Sequence, residues 1–98
     1  SVPERVAGHA LAVVRELLSN VAKHAHANWA QVVVAVKDDS LSITVTDNGI
    51  GFTEPSHRRG LANVARRADT HSGLFTIEPN KPKGTKARWQ IYLPNEED

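Results

Sequence analysis

Two runs of this chain alternate apolar and polar residues with a period of two, and each run carries one polar residue in phase with its apolar set. In the stretch from Leu41 to Asp47, the side chains of Leu41, Ile43 and Val45 fall on one face, and Asp47 is the next in phase. In the stretch from Thr85 to Leu93, Ala87, Trp89, Ile91 and Leu93 share a face, and Thr85 is in phase with them. Such alternation predicts two half-buried strands. It also aims a carboxylate and a hydroxyl toward the side where the apolar residues pack. A buried carboxylate without donors is costly, so these two polar ends point to a pocket between the sheet and whatever covers it. Taken alone, the Asp-Asn-Gly at 47–49 also reads as a tight turn, in which Asn and Gly tolerate positive φ.

The rest of the pattern supplies the cover. Pro3 opens a helical periodicity that runs to about His24. A strand follows at 29–37, then a turn at Asp38-Asp39-Ser40, so the first two strands form a hairpin. A second helix spans Gly60 to about His71, with Leu61, Val64, Ala65 and Ala68 on one face. A third strand at 73–79, a loop at 80–84 and a fourth strand at 85–93 complete an α-β-β-α-β-β order. The expected architecture is an α/β sandwich: a mixed, largely antiparallel sheet with helices packed on one face. With 98 residues the chain holds one domain, 1–94, and a short acidic tail, 95–98. It lacks an initial Met and opens inside a helical pattern, which suggests excision from a longer protein.

On the first helix, at 100° per residue, Ala10, Val14, Leu18, Val21 and Ala25 form the expected core stripe. Glu16, Asn20 and His24 recur every four residues along another edge, with Lys23 beside them. A polar edge is commonly just solvated, but Asn is a mediocre helix former and Glu16 has apolar neighbours, so the edge is a candidate cleft lining. The net charge of +1, from 12 basic and 11 acidic residues, gives no basis for nucleic-acid or membrane attraction. The absence of cysteine excludes disulfides and thiolate metal sites and fits a reducing, cytoplasmic setting.

These pieces, in this order, resemble the ATP-binding catalytic domain of sensor histidine kinases, of the GHKL superfamily with its Bergerat-type ATP-binding fold. "ELLSNVAKHAHA" (16–27) resembles the family's asparagine box, "DNGIGF" (47–52) its first glycine box, and "RGLANVARRA" (59–68) the second. "GTKARWQIYLP" (84–94) resembles the closing Gly-Thr strand. The wording is closest to nitrate- and redox-responsive bacterial kinases, with heme-bearing actinobacterial oxygen or redox sensors as neighbours.

The resemblance implies roles. Asn20 is expected to hold Mg²⁺ through its amide oxygen, and Glu16 to orient or deprotonate a reacting group or to hold a metal-bound water. Lys23 and His24 would approach phosphate. Asp47 would accept from the adenine exocyclic amine, with Thr85 in support. Gly49 and Gly51 would let backbone approach the base, and Gly60 and Leu61 would open the second helix at the phosphates. The implied ligands are ATP and Mg²⁺. The implied partners are a phosphoacceptor helical domain of the same kinase, a response regulator indirectly, and a second copy in a full-length homodimer. None of His9, His24, His26, His57 or His71 has a phosphoacceptor's flanking pattern, and their spacing fits no familiar zinc ligand set. The sequence departs from the family between the glycine boxes, where only "TEPSHRR" (53–59) stands and Arg58 occupies a usual glycine position. With so short a lid, a contact between Glu54 and His24 is a candidate gate of the empty pocket, the alternative being that both side chains are merely solvated. Two other readings are an anti-sigma-factor-type serine kinase and a degenerate docking domain.

Overall fold

The computed structural model describes residues 2–50 and 57–93, without the side chains at 24, 25 and 57–60. Helix α1 spans Glu4–Asn20 and continues into a π-helical turn, Val21–Ala25, which ends at His26 in the left-handed region (φ 51°). Strands β1 (Ala30–Lys37) and β2 (Ser40–Asp47) form the predicted hairpin through Asp38 and Asp39. Helix α2 (His57–Thr70) precedes β3 (Leu74–Pro79) and β4 (Thr85–Tyr92). Helix α2 thus starts three residues before Gly60, which lies in its first turn and not at its first residue.

The four strands lie in the order β1-β2-β4-β3, and every ladder is antiparallel. Period-two alternation puts Leu41, Ile43 and Val45 opposite Ile91, Trp89 and Ala87, all of them buried. Helix α1 packs on β2, and α2 packs on β3 and β4. Val6, Val13 and Leu17 come from α1 and Val64 and Ala68 from α2. At the centre, Trp89 is fully buried, and its indole N–H donates to the Val64 carbonyl oxygen at 3.1 Å. That bond satisfies the one polar atom the ring carries into the core.

The stripe on α1 differs from the wheel. Val13 and Leu17 are buried, Ala10, Val14 and Val21 flank them, and Leu18 is 37% exposed. The wheel finds the centre of the apolar residues. The helix instead turns its polar flank toward α2, which shifts the buried line by one residue. Strand β1 is an edge. Val32, Val34 and Val36 face the core side opposite Val45, Ile43 and Leu41, yet each is exposed, because α1 lies over β2 instead.

Candidate functional site

Antiparallel register brings Ala30, Asp47, Thr85 and Pro79 into one row across the end of the sheet. Asp47 is 4% exposed and Thr85 6%, so the phase argument from the sequence holds in three dimensions. The Gly49 backbone N–H donates to Asp47 Oδ1 at 2.8 Å, which offsets part of the carboxylate's desolvation. Among the described residues the other carboxylate oxygen has no hydrogen-bond partner.

Two contacts that sequence reasoning missed hold this corner. Asn80, in the β3–β4 loop, donates its side-chain amide to the Asp47 carbonyl oxygen at 3.1 Å. Gly84, in the same loop, has φ +111°, and a Cβ there would collide with that carbonyl. The glycine is therefore required twice, for its dihedral and for the close approach. On the other side, Asn48 Oδ1 accepts from the backbone N–H of Asn28 at 2.9 Å and of Trp29 at 3.2 Å. Asn48 is not a positive-φ turn residue; the non-glycine residues with positive φ are His26, Asp38 and Ser72 among those described. No sequence signal separates a turn-forming Asn from one that bonds backbone 19 and 20 residues away.

Asn20, the last residue of α1, is 7% exposed, and its side-chain Nδ2 is buried without a hydrogen-bond partner among the described residues. An unpartnered buried amide is costly in a finished core and sensible where a ligand completes it. Glu16, one turn earlier, is half-buried and lines a cavity of about 380 Å³ between the helices, with Arg15, Ser19, Asn63 and Arg67. Asn20 is thus buried at the end of α1, and Glu16, one turn earlier, lines the interhelical crevice. Lys23 is exposed on the π-helical turn, and Leu61 is half-buried against the core. Gly51, Glu54 and the side chains of His24, Arg58 and Arg59 lie outside the described residues, and with them the candidate gate.

A second polar cluster joins the far ends of the helices. Arg67 Nη1 donates to His9 Nδ1 at 2.6 Å, and the His9 and His71 rings meet edge-on at 5.0 Å. Burial, and then the neighbouring His9 and Arg5, lower the His71 pKa below its ordinary value.

Three comparisons bear on this geometry. The chain is 35% identical over 88 residues to the nitrate/nitrite sensor protein NarX of Escherichia coli (strain K12), an alignment that takes in 87% of this chain and 15% of NarX. It is 36% identical over 88 residues to the sensor histidine kinase NarS of Mycobacterium tuberculosis, covering 83% of this chain and 20% of that protein. The chain therefore spans about a fifth or less of the length of these curated relatives. Among solved structures, the ATP binding domain of PrrB from Mycobacterium tuberculosis superposes with a TM-score of 0.70 at 28% identity, over 91% of this chain and 69% of that one. The family model described as "Histidine kinase-, DNA gyrase B-, and HSP90-like ATPase" matches residues 6–97, and with a buried Asp47 at the strand end and Asn20 at the helix end, the chain belongs to that family as an ATP-binding domain of the histidine kinase kind.

Proposed function

We propose that this chain binds Mg²⁺–ATP between the β2–β4 end and the C-terminal end of α1, and presents the γ-phosphate to a histidine on a helical phosphoacceptor domain of a longer protein. The observation that carries the reading is the buried Asp47 carboxylate. One oxygen is bonded by Gly49 N–H and the other has no partner among the described residues. A carboxylate is acceptor-only, so that second oxygen suits the exocyclic amine of adenine and repels the carbonyl at the same place in guanine.

The orphaned atom of Asn20 is its Nδ2, a donor that suits a phosphate oxygen, while the amide oxygen of the same side chain is the kind of neutral hard ligand that Mg²⁺ takes beside phosphate oxygens and waters. The metal, when bound, neutralises phosphate charge. Lys23 adds a cation from the π-helical turn, Thr85 supports Asp47 from the paired strand, and Glu16, one turn before Asn20, takes the role of orienting or deprotonating a reacting group. Gly49, Gly51, Gly60, Leu61 and His24 complete the ligand set carried over from the family. The longer protein acts in the cytoplasm as a homodimer that passes phosphate on to a response regulator. Among the described residues, no helix is long and apolar enough to cross a membrane.

The test is calorimetric titration of the chain with ATP and with GTP, each with Mg²⁺, followed by mixing with the phosphoacceptor domain of the parent protein and labelled ATP. The expected result is saturable binding of ATP over GTP, label on the acceptor domain, and no label on the chain's own histidines. Equal affinity for GTP, or label on this chain alone, contradicts the reading.

A further inference from the structure

The two ends of the proposed pocket are carried by different pieces of backbone. Asp47, at the adenine end, is fixed by its own strand. It pairs with Ala30 and Thr85, bonds Gly49 N–H, and receives the Asn80 amide on its carbonyl. Asn20 and Lys23, at the phosphate end, sit where α1 ends and the π-helical turn begins. From there the chain passes through left-handed His26 and continues to Trp29 before it enters β1. This connection carries little of the core: Lys23, His26, Asn28 and Trp29 are exposed. Asn48 Oδ1 meets it at two consecutive N–H groups, Asn28 and Trp29. Both bonds use a single acceptor atom on the residue next to Asp47.

We infer that Asn48 is a positioning residue for the nucleotide: its side-chain oxygen ties the connection after α1 to the Asp47 strand end and so sets the spacing between the adenine-reading and phosphate-holding ends of the pocket. The inference rests on the nucleotide reading above and adds a residue to which that reading gives no part. Asn48 needs no contact with ligand to do this. Two accepted N–H bonds on one oxygen define both a distance and an orientation, whereas one bond leaves a hinge. The chemistry needed is an acceptor at the Oδ1 position. Aspartate supplies it; alanine does not.

The arrangement makes a prediction that separates positioning from general support. Adenosine engages only the end that Asp47 reads, and that end keeps all its other ties when Asn48 is truncated. ATP with Mg²⁺ needs both ends at the right spacing. In Asn48→Ala, adenosine affinity stays within about twofold of the parent's, while Mg²⁺–ATP affinity falls about tenfold or more, the loss expected for one or two hydrogen bonds. In Asn48→Asp, measured at high ionic strength to screen the added charge, the ratio of the two affinities returns toward that of the parent. The measurement is calorimetric titration of parent and both variants with adenosine and with Mg²⁺–ATP, alongside urea unfolding of each.

A selective loss for Mg²⁺–ATP with rescue by aspartate supports the assignment. A parallel loss for both ligands that tracks a fall in stability assigns Asn48 a merely structural role and overturns it. Unchanged Mg²⁺–ATP affinity in Asn48→Ala, or failure of aspartate to restore the ratio, also overturns it. In each of those cases the parent still binds ATP, so the functional reading survives. A parent that binds neither ligand overturns both.

Discussion

At the scale of single residues, the pocket depends on atoms whose donor and acceptor character cannot be exchanged. Asp47→Asn keeps the size of the side chain and one oxygen to accept from Gly49 N–H, but turns the other position into a donor, which on the proposed reading would face the adenine amine. The expected outcome is a folded protein with a urea midpoint near the parent's and ATP affinity reduced about 100-fold or more, the scale of a buried donor left facing a donor. Retained ATP binding by calorimetry in a folded Asp47→Asn would move the adenine reader elsewhere. The site was partly legible at this scale. Asp47 and Thr85 could be read because phase along a strand is a local property. Asn48 and Asn80 could not, because each bonds backbone far away in sequence, and a sequence records no such contact.

At the scale of elements, the β3–β4 loop acts as a buttress for the strand end. Gly84 brings its backbone against the Asp47 carbonyl at a φ that L side chains rarely adopt. Gly84→Ala therefore meets a steric conflict and a dihedral penalty together, and the expected cost is about 2–4 kcal/mol in urea unfolding. Because the conflict lies at Asp47, ATP affinity falls as well, even under conditions where the variant is fully folded. A variant as stable and as tight-binding as the parent would mean that the loop takes another path. Element existence and type followed from periodicity, whereas the facing of α1 did not. Leu18 and Leu17 are equally apolar, and what decides that Leu17 is buried and Leu18 is 37% exposed is how α1 sits against β2 and α2, which no pattern within α1 contains.

At the scale of the whole molecule, the helical layer is joined at its far end by a cluster with no carboxylate among its named members. The His71 ring meets His9 from α1 and feels the charge of Arg5, and Arg67 from α2 binds His9. The folded state holds His71 below its ordinary pKa, so the unfolded chain takes up the proton more readily. Stability from this group is fully present above about pH 6.5 and falls as pH drops through that value toward the lowered one. Urea midpoints of the parent should therefore be lower at about pH 5.5 than at about pH 7.5. His71→Gln should flatten part of that slope. Identical slopes in parent and variant would show that the cluster does not sense protons.

The register of β2 has a last consequence, for how this molecule can fail. Leu41, Ile43, Val45 and Asp47 occupy one face of one strand, so a slip of a single residue would send the core valine and leucine side chains outward and take the carboxylate with them. A one-residue slip therefore loses the core and the pairing of Asp47 with Thr85 together. Bound nucleotide then counts correctly folded molecules and nothing else, and it draws the folding equilibrium toward them by mass action. The midpoint of unfolding becomes a gauge of ligand concentration, and a cell short of ATP would hold this domain closer to its own melting.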